Sequence, residues 1–277
     1  TIDPERTLAN EEFDYVVRGE GELTFLELAD GRENKEIKGL SFKKNGRIIH
    51  NEDRPFIEDL DTLPFPNRDS FLNDTRSLDV GYVSTGRGCP FSCAYCVSPK
   101  LWQRRVRLRS VSNVVDELKC LKNDYNSSII RFVDDTFTLN KLRATEICQR
   151  IIDDHLDIKW VCDTRGDCLD DELVALMKKS GCIRIKIGVE SGSNKVLKSM
   201  RKGVTLERIL KAIKTIKKHG VPLTVYLLAG FPGETTEDLR QTIKFARDLD
   251  ADYYSLGVLA PYYGTQVWSD LEKAGKK

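Results

Sequence analysis

The sequence predicts an α/β protein built on a parallel sheet, preceded by a small α+β unit. Three observations carry this. Apolar strand candidates recur at Tyr82–Thr85, Ile129–Val133, Ile158–Cys162, Ile183–Val189, Leu223–Leu228 and Tyr253–Leu259. Helical stretches lie between them. Ahead of them, two apolar segments flank Asn45-Gly46, a strong hairpin-turn dipeptide. Alternating strands and helices imply a parallel sheet with its helices outside. A doubly wound sheet and an open six-stranded barrel both satisfy the pattern. In either, ligands gather at the carboxyl ends of the strands.

The elements follow in order. Phe13–Arg18 reads as a short strand, followed by Gly19-Glu20-Gly21-Glu22 and a helical stretch through Leu23, Leu26 and Leu28. The hairpin runs from Ile37 to Phe42 and back through Ile48-Ile49. Pro55, Pro64 and Pro66, set among acidic residues, mark an ordered strap rather than a packed element. From Gly81 the pattern turns regular. Ala144, Ile147, Cys148, Ile151 and Ile152 form one helical apolar stripe. Thr205 is placed to cap a helix whose Leu206, Ile209, Leu210, Ile213 and Ile216 share a face, ending at Gly220 with Pro222 beyond. Thr235 and Asp238 form a capping-box pattern before Leu239, Ile243 and Ala246.

Composition narrows the function classes. The chain has 277 residues, 40% hydrophobic and 31% charged, as in ordinary globular proteins. Lysine plus arginine (44) nearly balances aspartate plus glutamate (43), and a net charge of +1 gives no nucleic-acid-binding signal. No apolar run approaches the ~20 residues that span a bilayer, and no signal peptide is visible, so a cytoplasmic location is expected. Thr1 is not methionine, which predicts a start upstream. The eight cysteines, in a chain this large without a signal, point to metal binding or free thiols rather than disulfides. Cys120, Cys148, Cys162, Cys168 and Cys182 are scattered and read as free thiols; Cys89, Cys93 and Cys96 are clustered.

That cluster, Gly88-Cys89-Pro90-Phe91-Ser92-Cys93-Ala94-Tyr95-Cys96, directly follows the first strand of the regular region. Thiolates suit iron–sulfur clusters and zinc. Three on one loop can hold three irons of a [4Fe–4S] cube and leave the fourth open to a substrate. A structural zinc wants four ligands. There is no second Cys-x-x-Cys, and His50, His155 and His219 lack ligand spacing. A zinc-stabilised binding module is therefore the minor reading.

The Cys-x-x-x-Cys-x-x-Cys spacing, with Tyr95 before the third cysteine and a strand before the loop, resembles the radical S-adenosylmethionine (SAM) superfamily. The resemblance implies a partial (β/α)6 barrel, a [4Fe–4S] cluster on Cys89, Cys93 and Cys96, and SAM chelating the unique iron. Reductive cleavage of SAM then yields a 5′-deoxyadenosyl radical or, in some subclasses, leaves SAM as a methyl donor. The cofactors carry the chemistry while the protein binds, orients and excludes water. Strand-end segments match the same family: Phe132–Thr138 with Asp134 and Asp135, where the family usually has Gly-Gly-Glu; Ile187–Ser193 with Glu190 and Ser191, Glu190 being suited to ribose hydroxyls; Leu228–Thr235 with Gly230; and Leu259–Thr265 with Pro261. Only one of the adjacent Asp134 and Asp135 is expected in the pocket, since neighbours on a strand face opposite ways. Arg165, after the third strand, is a candidate partner for SAM's carboxylate or a pocket acid. Lys186 either pairs with Glu190 or faces a helix.

The wording is most similar to the cobalamin-associated, methyltransferase-like branch. Asp14–Glu22 looks like the end of that branch's cobalamin-binding domain. The division expected is thus 1–36, a remnant of such a domain; 37–79, hairpin and linker; and 80–277, the barrel. This chain is expected to bind SAM but not cobalamin, which would belong to the full-length protein. The family also implies an electron donor such as flavodoxin or ferredoxin. A methylthiotransferase-like enzyme is the alternative within the class; its extra cluster cysteines are absent from residues 1–79.

Overall fold

The computed structural model describes residues 3–69 and 81–276. The linker's expected end at residue 79 lies outside them. The N-terminal unit is a three-stranded antiparallel sheet. Strand β1 (Tyr15–Val17) pairs with β2 (Leu40–Lys44), which pairs with β3 (Arg47–His50). Asn45 and Gly46 both have positive φ, 51° and 73°, as a two-residue turn of type I′ needs. The division expected at residue 36 is thus bridged by the β1–β2 pairing. Ile37, Leu40 and Phe42 form this unit's small core.

The main sheet contains β4 (Tyr82–Val83), β7 (Ile130–Phe132), β8 (Trp160–Thr164), β9 (Cys182–Glu190), β10 (Leu223–Ala229) and β11 (Tyr253–Val258). All neighbours are parallel, and the strands lie side by side in sequence order. A doubly wound sheet reverses its order at a switch point; this one never does. The sequence left two architectures open, and the order decides for the open barrel.

β4 is shorter than the expected Tyr82–Thr85. The Thr85 N–H donates to the Asp134 carboxylate (3.1 Å) rather than to a ladder. The chain then turns into β5 (Gly86–Arg87), which pairs antiparallel with β6 (Arg107–Leu108). This ribbon brackets the cysteine loop.

The core lies between the sheet and its helices. Trp160, Phe132 and Phe137 meet at its centre, with ring centroids 4.5–5.5 Å apart. The Trp160 indole N–H donates to Ser180 O (2.9 Å), so the buried ring leaves no orphan donor. Helix 206–218 starts at Thr205, whose hydroxyl accepts from Arg208 N, and buries Ile209, Ala212, Ile213 and Ile216. Leu210 lies at the edge of that stripe and is 36% exposed. Helix 236–249 has both capping-box bonds, but its buried face is rotated about one residue from the expected one. Asp238, Thr242 and Leu249 are buried and Ile243 is 53% exposed. Gly192 causes the rotation. A Cβ there would lie 2.6 Å from the Thr242 Cα, and the Gly192 N–H donates to the Thr242 hydroxyl (2.9 Å), so polar Thr242 is drawn inward.

No helix among the described residues is long and apolar enough to cross a membrane.

Candidate active site

The cysteine loop occupies the carboxyl end of the sheet. Gly88 opens it with φ +98°, a conformation L-residues avoid. A Cβ there would come 1.9 Å from Arg105 O, so the chain passes too close to the backbone just before β6 for any side chain. At the loop's far end, Ala94 N–H donates to Met200 O (2.9 Å) and Ala94 O accepts from Val267 N–H (3.0 Å). Ala94 also packs with Val196, Met200, Phe231 and Val267. One loop residue is thus held by the segments following β9, β10 and β11.

Cys89, Cys93 and Cys96 are half-buried, whereas Cys148, Cys162, Cys168 and Cys182 are buried. Burial pushes the Cys89 and Cys96 thiols up, and backbone N–H groups of Phe91 and Ser98 work against it. Arg165 lies 4.0 Å from Cys93 Sγ and 3.6 Å over the Phe91 ring. It is held there by Asp167 (2.9 Å) and Lys202 O (2.9 Å). N–H donors and a guanidinium around sulfur favour thiolate. Among the described residues no three ligands converge as on a single ion. What suits the loop to a thiolate-held group is its donor chemistry, three half-buried thiols on one loop with the Phe91 and Ser98 N–H groups and Arg165 beside their sulfurs.

At the end of β9, Glu190 has φ +68°, with Ser191 N–H reaching back to Val189 O (2.9 Å). A non-glycine residue held this way costs roughly 1–3 kcal/mol and marks functional positions. Its carboxylate accepts from Lys202 Nζ (2.8 Å), and Lys202 also reaches the Tyr95 hydroxyl (3.3 Å). Burial first, then the charge of Glu190, holds the Tyr95 phenol well above its usual range, so it stays protonated. Gly188 makes room for this trio, since a Cβ there would lie 2.2 Å from Glu190 Oε1.

Asp134 and Asp135, just past β7, take different partners. Asp134 is buried and bonded to Thr85 N and Oγ1 (2.9 Å for the latter). Arg143 caps the same threonine through Oγ1 (3.0 Å) and O (2.8 Å). Asp134 therefore fixes the corner between β4 and β5. Asp135 is exposed on the cysteine side and accepts from Ser98 Oγ (2.6 Å). The Ser191 hydroxyl is engaged by Thr242 (3.1 Å) and Ser193 N (3.1 Å), so it shapes the turn rather than facing a ligand. Gly230 N–H donates to Glu234 (2.6 Å), and Pro261 is exposed. Lys186 takes neither expected partner; it faces Asp163 at 3.6 Å. Lys202 was missed because it sits in a loop twelve residues past Glu190, where no periodicity marks it.

The family model for the radical SAM superfamily matches residues 83–246. The chain belongs to the radical SAM superfamily. An uncharacterized methyltransferase of Pyrococcus horikoshii is 43% identical over 262 residues, 92% of this chain and 57% of that protein. The anaerobic magnesium-protoporphyrin IX monomethyl ester cyclase of Rubrivivax gelatinosus is 29% identical over 93% of this chain and 49% of its own. The chain thus spans about half the length of these relatives. Among solved structures, the radical SAM methyltransferase TsrM from Kitasatospora setae, with cobalamin and a [4Fe–4S] cluster bound, superposes with a TM-score of 0.80. It shows 21% identity and covers 94% of this chain and 56% of its own. The cobalamin-dependent radical enzyme OxsB, with aqua-cobalamin and SAM bound, gives 0.75 and covers 100% of this chain and 42% of its own. At 21% and 23% identity, these two speak for the fold.

The radical SAM fold here carries a pH-sensitive corner. Burial raises the Asp134 carboxyl to about 6, against the opposing Thr85 hydrogen bonds. A folded-state value above the unfolded 3.8 adds stability below about pH 4 that is lost as pH rises through about 6. Asp134→Asn removes this proton site. The stability of wild type minus variant should fall between pH 4 and 6, by up to about 3 kcal/mol, then stay flat to pH 8. Urea unfolding at pH 4.5, 6 and 7.5 checks it; a difference that grows with pH contradicts it.

Proposed function

We propose that this chain is the catalytic core of a cobalamin-associated radical SAM enzyme of methyltransferase type. Cys89, Cys93 and Cys96 would hold a [4Fe–4S] cluster, and cobalamin would be carried by the longer protein. The observation that carries the reading is the seat of the three-cysteine loop. It emerges from the first strand at the carboxyl end of a sequentially ordered parallel sheet and is fastened at Ala94 to Met200 and Val267. The cluster, when bound with SAM on its open iron, supplies the electron that breaks a carbon–sulfur bond of SAM. This chain's residues position and shield. Glu190 accepts hydrogen bonds from ribose hydroxyls, with Lys202 and the neutral Tyr95 fixing its carboxylate. Arg165 offers positive charge beside Cys93, and Asp135, on the cysteine side, is placed for the SAM amine. Ala94, Phe231 and Val267 keep water from the loop's inner side.

Anaerobic reconstitution with iron and sulfide should give a brown protein with about four irons and four sulfides per chain. Cys93→Ala should abolish this. One zinc per chain without sulfide overturns the reading.

A further inference from the structure

We infer that Arg184 and Lys186, inside the barrel beneath Glu190, form a subsite for an anionic group of the substrate, a carboxylate or a phosphate. The inference rests on the proposed function, because it places the substrate below SAM in the same cavity.

Side chains alternate along a strand. On β9, Ile185, Ile187 and Val189 join the helix-side core, so Arg184, Lys186, Gly188 and Glu190 face the barrel's interior. Strand register puts Asp163 opposite Lys186 and Tyr226 opposite Gly188. Lys186 Nζ stands 3.6 Å from Asp163 Oδ2, a loose approach that leaves its other donors free. The Tyr226 hydroxyl also binds Asp163; burial and that carboxylate's charge push it up to about 12, so it remains a donor. Asp163 thus holds two side chains in place.

Arg184 lies two residues below Lys186, roughly 7 Å along the strand. Its guanidinium sits 4.0 Å over the Tyr253 ring. It makes no ion pair among the described residues. A cation–π contact offsets only part of the cost of a half-buried guanidinium, and Asp163 is already shared. Below the neutralised Glu190–Lys202 pair, the interior therefore carries more positive than negative charge. Arg184 and Lys186 thus project from the same face of one strand, and a guanidinium and an ammonium are the donors suited to a carboxylate or phosphate.

Anion binding is measurable on the chain without its cluster. Inorganic pyrophosphate and citrate, titrated calorimetrically in parallel, report the phosphate and carboxylate arms. Arg184→Gln/Lys186→Gln should weaken the favoured anion at least about tenfold, with Arg184→Lys recovering most of it. Surface changes Lys211→Gln/Lys214→Gln should leave it unaltered. Iron, sulfide and SAM binding in the reconstituted double variant should equal wild type. Equal weakening in the surface pair, no weakening in the double variant, or loss of SAM binding overturns the inference. Absence of iron from wild type would instead sink the proposed function and leave the anion result to be judged by itself.

Discussion

Glu20→Ala should lower the melting temperature on the order of 10 °C, the loss expected when about 3–5 kcal/mol is removed from a chain of this size. Glu20 sits in Gly19-Glu20-Gly21-Glu22, just before helix Glu22–Ala29, yet its charged partners belong to the ribbon around the cysteine loop. Its carboxylate takes Arg87 (2.5 Å), Arg107 (2.7 Å) and the Ile57 N–H (2.7 Å). The Glu20 and Arg107 side chains are 3% and 4% exposed. Burial pushes the Glu20 carboxyl up, but the two guanidinium bonds outweigh it and hold it low. Arg107 also stacks 4.5 Å over Phe56, so it cannot swing to water when its partner goes. The loss comes chiefly from leaving the buried Arg107 guanidinium without its carboxylate, since Arg87 keeps Glu22 (2.5 Å). A cycle with Arg107→Gln separates this from simple contact loss: the double variant should be markedly more stable than the sum of the singles predicts. Additive effects would mean that the N-terminal unit merely touches the barrel.

Gly88→Ala should cost iron as well as stability. The alanine Cβ would meet Arg105 O at 1.9 Å, and that oxygen belongs to the backbone. The chain must shift immediately before Cys89, by more than a rigid three-point ligand set tolerates. Gly19→Ala is the control. Gly19 has φ +70° with nothing within 4 Å of its would-be Cβ, so only the conformational cost of about 1 kcal/mol remains. Melting curves and iron content after reconstitution should put Gly88→Ala far below Gly19→Ala. Equal iron in the two would show that the loop adapts.

Much of the fold was legible because it depends on local signals. The six strands, the Asn45-Gly46 turn and the caps at Thr205 and Thr235 follow from periodicity and turn chemistry. The strand order did not, because alternating strands and helices are common to both winding schemes; only the pairing partners separate them. The face of helix 236–249 was misread because apolar count gave way to Gly192, whose missing Cβ draws Thr242 inward. The cysteine loop was legible from spacing alone. Its surroundings were not. Lys202, Met200 and Val267 reach the site from the segments after later strands, and the distances that make them neighbours are tertiary. The roles of Asp134 and Ser191 likewise turned on where Thr85 and Thr242 lie, which no local pattern records.

The fastening of Ala94 has a consequence for the order of assembly. Its two backbone partners, Met200 and Val267, lie more than a hundred residues later in the chain. Contacts of such separation form late, because the loop entropy must be met before they repay it. During synthesis from the N-terminus, the cysteines emerge long before anything can hold them in shape. Nascent thiols are therefore exposed to oxidants and stray metals until β11 and the helix after it, which carries Val267, arrive. A cluster on these cysteines, as proposed above, would be seated only after Met200 and Val267 are in place, so its insertion would be timed by those later segments rather than by the cysteines themselves.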